Sequence, residues 1–204
     1  MPKITAITLQ TKNKNRCNLY LDGDFAVGVS LETVMKYRLK VGMEIDKQEF
    51  FDLVKEDDKI EALNKAVSYV SKTLKTKKQV KTYLENKGYD EEIIWYCIDK
   101  LKEYNYINDT EYAKRYIEST SKNQGKRLIE YKLMMKGLKK ADVSEAYEQS
   151  SVSSKENATE IATKYLKNKE KTKENLAKAY RYLIGKGFSH EEVGYAISRF
   201  KDED

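Results

Sequence analysis

The chain has 204 residues, 40% hydrophobic and 35% charged, too little apolar material for one large globule, so several small cores are expected. Lys+Arg 39 against Asp+Glu 33 leave a formal net charge of +6, which favours contact with an acidic partner, either nucleic acid or another protein. No stretch approaches the roughly 18 apolar residues of a membrane span, the N-terminal MPKITAITLQ alternates, and Cys17 and Cys97 stand far apart without a second pair, so membrane insertion, export, a disulfide framework and a zinc ribbon are not expected and a reducing cytoplasm is.

From Lys3 to Ser30 the apolar residues recur with period two: Thr5, Ile7 and Leu9, then Cys17, Leu19 and Leu21, then Phe25, Val27 and Val29. This pattern predicts strands. Facing Leu21 with Phe25, Leu19 with Val27 and Cys17 with Val29 requires an odd turn, Asp22-Gly23-Asp24. The pair Asp22 and Asp24 reads as turn chemistry, not as a metal site. A hairpin of this size needs a partner. Leu31, Val34, Met35 and Arg38 supply one at helical spacing, with Ser30 as N-cap. Val41 to Ile45 then reads as a turn or short strand, and Glu49 to Lys59 as a helix running on toward Ala66.

The strongest signal is a repeat. Lys-Gly occurs at Lys87-Gly88, Lys136-Gly137 and Lys186-Gly187, at intervals of 49 and 50 residues. The same positions around each glycine are apolar: four before it Leu84, Leu133 and Leu183; eight before it Val80, Ile129 and Ala179; six after it Ile94, Val143 and Val193; ten after it Ile98, Tyr147 and Ile197. Further upstream, Ala-x-x-Tyr precedes a branched aliphatic at Ala66/Tyr69/Val70, Ala113/Tyr116/Ile117 and Ala162/Tyr165/Leu166. Each repeat therefore reads as helix, loop, helix, glycine turn, helix, with the glycine ending a helix in the left-handed conformation that a residue without a side chain tolerates. Asp90 is the expected cap of one third helix, and capping boxes are expected at Ser189-x-x-Glu192 and Asn108-x-x-Glu111.

The expected fold is mainly α: three tandem three-helix repeats in a curved elongated array behind a small N-terminal β-hairpin/helix module. The expected divisions are 1–58 for the module, 59–107, 108–150 and 155–204 for the repeats, with Gln149 to Ser154 as the last linker.

Lysines crowd the loop and second helix of each repeat: Lys72, Lys75, Lys77, Lys78 and Lys81; Lys122, Lys126, Arg127 and Lys132; Lys167, Lys169, Lys171, Lys173 and Lys178. Third helices begin acidic, as in Asp90-Glu91-Glu92 and Glu191-Glu192. Charge segregated in this way predicts a basic stripe along one face as the partner- or DNA-binding surface. Tyr83 and Tyr182, five before their glycines, could stack on single-stranded nucleic acid, although most of the sixteen tyrosines should be core-edge residues. The single histidine, His190, falls in a helix N-terminal turn. No Ser-His-Asp set, phosphate-binding glycine loop or metal-spaced cluster is present, so neither an enzyme nor a cofactor is expected. Asp57-Asp58 and Asp202-Glu203-Asp204 fall in expected linkers or tails, which argues against a two-metal nuclease.

In the second repeat, Tyr106-Ile107-Asn108-Asp109-x-Glu111-Tyr112-Ala113, followed by Gly125 and by Leu133-x-x-Lys136-Gly137-Leu138, resembles the signature of the RecX family of RecA regulators. The resemblance covers roughly Ile60 to Phe200, and the N-terminal module is similar to the extension on longer members. Lys139-Lys140-Ala141-Asp142 departs from the family pattern by lacking an Asp or Ser cap. Tyr112, Ala113, Leu133 and Gly137 are packing and turn residues on this reading. The resemblance implies a non-enzymatic modulator, and a monomer is expected. It would lodge in the groove of the RecA–DNA filament and restrain its ATPase, strand exchange or growth, meeting DNA directly or through the filament. The alternative is a direct single-stranded DNA-binding protein without a recombinase partner.

Overall fold

The computed structural model describes residues 1–200, which cluster into two units: Met1–Thr73 with Val80–Tyr106, and Leu74–Gln79 with the chain from Ile107 onward. The first unit opens with an antiparallel sheet in the order β1-β2-β3, built from β1 (Ile4–Leu9), β2 (Arg16–Leu21) and β3 (Asp24–Ser30). Cys17 faces Val29 and Leu19 faces Val27, as the alternation requires. The turn differs from expectation. It holds two residues, Asp22 (φ 50°) and Gly23 (φ 99°), so that Asp24 pairs with Leu21 and Phe25 with Tyr20. Two left-handed residues match the twist of the strands, and a bulge between Leu19 and Tyr20 absorbs the odd residue. A second bulge, between Ile4 and Ala6, brings Ile4 onto the face of Ile7, where it is buried; Leu9 keeps the expected register opposite Cys17 but, as the last residue of β1, is exposed.

The short helix α1 (Leu31–Lys36) starts where Ser30 accepts from the Thr33 amide, as expected of an N-cap. Its inner face is only partly the expected one. Val34 packs against the core of the module, but Thr33 is buried and Met35 is 70% exposed, because a polar contact turns the helix toward Thr33. Asp57, on α2 (Lys47–Val70), is 2% exposed. Its Oδ1 accepts from the Ser30 amide at 2.6 Å and from the Thr33 hydroxyl at 2.7 Å, while Oδ2 lies 3.5 Å from Arg16 Nη2. Asp57 is thus a buried hub tying helix to sheet, not the linker residue that the sequence suggested. Arg16 also donates to the Gly28 carbonyl and to Glu61. The helix α2 begins with a capping box between Asp46 and Glu49 and is continuous through residues 58 and 59, where the module was expected to end.

The repeated pattern folds as three-helix bundles. The later part of α2 joins α3 (Lys77–Glu85) and α4 (Glu91–Glu103). Next come α5 (Asp109–Thr120), α6 (Lys126–Met135) and α7 (Lys140–Glu148), then α8 (Ser154–Leu166), α9 (Lys173–Gly185) and α10 (His190–Ser198). In each, the first helix packs on the third. The aligned apolar positions are the cores: Val80, Leu84, Ile94 and Ile98; Ile129, Leu133 and Val143; Ala179, Leu183, Val193 and Ile197 are all buried. Ala113 and Leu133 are buried and Tyr112 packs beside them. Gly88, Gly137 and Gly187 have φ of 84°, 89° and 91°, the left-handed helix ending read from the sequence. Asp90 caps α4, and Ser189 with Glu192 forms the capping box of α10. Asn108 caps α5 through the Glu111 amide, but the Glu111 carboxylate turns to Arg115 at 2.6 Å instead of closing the box. Lys139 stands at the N-cap of α7 without a side-chain bond.

Within the second unit, each Lys-Gly turn is docked. The Thr76 hydroxyl donates to the Lys136 carbonyl at 2.8 Å, and a Cβ on Gly137 would meet Lys78 Cβ at 2.5 Å. The Gly125 amide donates to the Lys186 carbonyl at 2.9 Å and the Arg127 amide to the Gly187 carbonyl at 3.2 Å. A Cβ on Gly125 would collide with the backbone of Gly187 and Phe188. Amides left over at the start of α6 are satisfied by carbonyls left over at the end of α9.

Beside this joint lies the Tyr147 hydroxyl, buried without a hydrogen-bond partner among the described residues. Burial raises its pKa, and the Glu130 and Glu192 carboxylates raise it further. Because an unsatisfied buried hydroxyl is a cost, Tyr147→Phe is expected to leave stability unchanged or raise it by up to about 1 kcal/mol. A loss on urea unfolding would show that the hydroxyl is bonded.

Candidate binding surface

The tyrosine of each Ala-x-x-Tyr sits at the edge of a first helix, and the lysine of each Lys-Gly closes a second helix, where a cation complements the helix dipole. Folding brings them together. Tyr69 and Tyr83 stack with centroids 4.2 Å apart, and Lys87 Nζ lies 5.6 Å from the Tyr83 ring. Tyr165 and Tyr182 stack at 4.7 Å, with Lys186 5.3 Å from Tyr182 and Lys169 3.3 Å from Tyr165. In the middle repeat Lys132 takes the place of the second tyrosine, and Lys136 lies 5.8 Å from Tyr116. Tyr83 and Tyr182 therefore already stack on a tyrosine of their own repeat. Cations over ring faces on a surface contribute about 0.5–1 kcal/mol each, which holds these ammonium groups in place.

Two open grooves border these clusters in the second unit. Gln124, Leu128, Lys132, Arg181, Tyr182, Gly185 and Lys186 line one of 420 Å³. There Lys132 Nζ donates to Gln124 Oε1 at 2.9 Å. Lys171, Lys173, Leu176, Ala177, Tyr180, Arg181, Ile197 and Phe200 line the other, of 730 Å³. Arg181 belongs to both.

The other residues of the expected basic stripe have varied surroundings. Lys72, Lys122 and Lys167 are exposed, and Lys75 is half-buried ahead of α3. The Lys77 amide donates to Asp109. The Lys78 ammonium reaches the Met135 carbonyl, and Arg127 is held through its amide in the joint. Lys81 lies 3.4 Å from Glu91, Lys126 3.8 Å from Glu130 and Lys178 2.7 Å from Glu174. The bond to Lys178 holds the Glu174 carboxyl below its ordinary range. Sequence reasoning missed Arg181 and the Lys-Gly lysines themselves. Their signal was the recurrence of lysine before each glycine, which was read for the glycine alone.

His190 is exposed, with Nδ1 2.8 Å from the Tyr180 hydroxyl. Both cysteines are buried and unpaired, and burial pushes the Cys97 thiol up to about 11. Among the described residues no group of three or more His, Cys, Asp or Glu could hold a metal ion, and no helix is long and apolar enough to cross a membrane. The acidic run Asp202-Glu203-Asp204 lies outside the described residues.

Three family models match the chain: the regulatory protein RecX N-terminal domain over residues 2–46, the first RecX three-helix domain over 62–101 and the second over 108–146. The regulatory protein RecX of Clostridium botulinum (strain Alaska E43 / Type E3) is 38% identical over 200 residues, covering 95% of this chain and 93% of that one. That of Clostridium tetani (strain Massachusetts / E88) is 34% identical over 207 residues, covering 99% and 96%. A crystal structure of regulatory protein RecX superposes with a TM-score of 0.74 at 26% identity over 100% of both chains. That of RecX from Lactobacillus salivarius does so with 0.66 at 25% identity, over 72% of this chain and 98% of that one. The small sheet and the three-helix bundles fall within the matched segments, and the chain belongs to the RecX family of regulatory proteins.

Proposed function

We propose that the protein regulates the RecA recombinase by binding the RecA–DNA filament along its groove, without catalysis of its own, and restraining ATP hydrolysis, strand exchange or filament growth in DNA repair. The observation that carries this reading is the cationic groove of Lys132, Arg181 and Lys186 beside Tyr182, in a chain whose relatives are named regulatory proteins. Lysine and arginine meet an acidic surface from rigid helices, and a stacked aromatic pair fixes part of that surface beforehand. Titrating the protein into RecA–DNA filaments should slow ATP hydrolysis, and filaments should retain it in co-sedimentation at moderate salt far better than bare DNA does. Unchanged hydrolysis at saturating protein would refute the proposal. Lys132→Ala, Arg181→Ala and Lys186→Ala combined should weaken filament binding about tenfold or more, roughly 1.4 kcal/mol, with helical circular dichroism unaltered.

A second reading, direct binding of single-stranded DNA, draws on Tyr182, 39% exposed beside these cations. It predicts equal affinity for bare DNA and filaments, lost steeply with salt.

A further inference from the structure

Inside the second unit one contact is made twice. The residues ten and nine before a repeat's glycine receive the Lys-Gly turn of the next repeat: Gly137 packs against Lys78, while Gly187 packs against Leu128 and its carbonyl accepts from the Arg127 amide. The third member of the series is Ala177, ten before Gly187. It lines the open 730 Å³ groove with Lys171, Lys173, Arg181 and Phe200. The equivalence extends across the groove. Ile197 on its far wall corresponds to Tyr147, ten after Gly137.

The first repeat supplies the counterpart. Gly88 has the same left-handed conformation as the two docked glycines, yet nothing lies within 4 Å of where its Cβ would stand. Its turn leads into Asp90, Glu91 and Glu92, opposite in sign to Lys171, Lys173 and Arg181. We propose that the Lys87-Gly88 turn of one molecule seats in the Ala177 groove of a second copy, repeating the internal joint between chains. Such a contact joins two different patches, so it runs head to tail.

It is weaker than the internal joints. Relative to its glycine, α9 begins about one turn earlier than α6, and the Asn175 and Leu176 amides are already bonded to Thr172. The amides of Asn175 and Ala177, equivalent to those of Gly125 and Arg127, are taken up by the cap and by α9 itself, so packing and charge alone hold the incoming turn, and a one-turn interface is small. The dilute chain is therefore monomeric and concentrated chains associate.

Sedimentation velocity without nucleic acid tests this. The mean sedimentation coefficient should rise with concentration, less so in high salt, and Ala177→Trp, on an exposed helix position, should abolish the rise with circular dichroism unchanged. A lysine tip reaches farther than a disulfide spans, so the pair to cross-link is the one whose Cβ positions meet in the internal joint, Gly137 with Lys78, equivalent to Gly88 and Ala177. Mixed Gly88→Cys and Ala177→Cys proteins should oxidise to a heterodimer in excess over either homodimer, the native cysteines being buried. A constant coefficient at every concentration, a rise that survives Ala177→Trp, or homodimers as abundant as heterodimers would each overturn the proposal.

Discussion

Gly187→Ala is expected to destabilise the protein by about 3 kcal/mol and Gly88→Ala by only about 1 kcal/mol, although both residues stand in the same backbone conformation. The left-handed strain is common to the two, with φ of 91° and 84°. What differs is the surroundings. A Cβ at Gly187 would strike Leu128, whose amide nitrogen lies 2.7 Å from it, whereas at Gly88 the space is open. Leu128 cannot yield, because the clash reaches its backbone and its helix starts on that turn. Relief requires opening the joint, which also loses the bonds from Gly125 and Arg127 to the turn. Urea unfolding followed by circular dichroism gives both values. Equal losses would mean that the Gly187 turn is not docked.

Asp57→Ala should cost a similar amount, about 3 kcal/mol, through a different mechanism. The substitution leaves the Ser30 amide and the Thr33 hydroxyl buried without their acceptor and removes one of the two carboxylates facing Arg16. Asp57→Asn keeps an acceptor oxygen but loses the charge, and about half the loss is expected. Thermal unfolding ranks the pair. A loss for Asp57→Ala within about 0.5 kcal/mol of wild type, as for a surface site, would show that the hub is dispensable.

The helical part of the fold was legible because its signals are local and repeated. A left-handed glycine, a leucine four before it and an aliphatic six after it are set by helix geometry, and the same solution recurs at Gly88, Gly137 and Gly187. The β module was legible in outline only. Its two bulges each insert one residue, and a single inserted residue swaps the faces of everything beyond it, so Ile4 came out buried on the face of Ile7 and Phe25 paired with Tyr20. Apolar periodicity also missed Thr33, since a buried threonine depends on a carboxylate 24 residues away. For the binding surface, counting charges identified Lys132, Lys171 and Lys173, which line grooves. It could not separate them from Lys81, Lys126 and Lys178, which face carboxylates of their own repeat. Nor could it find Arg181, which reaches both grooves by its place on α9.

The uninterrupted run of α2 from Lys47 to Val70 ties two architectural pieces to one rod. Its first half carries Leu53 and Asp57 into the β module, and its second half carries Ala62, Ala66 and Val70 into the first helical bundle. Fraying at either end propagates along a shared backbone ladder. Proteolysis should accordingly find no early nick near residue 58, and a fragment starting there would forfeit half of its first helix along with the sheet that shields it. Gene truncations meant to isolate the helical bundles should begin before Asp46, or after the whole rod.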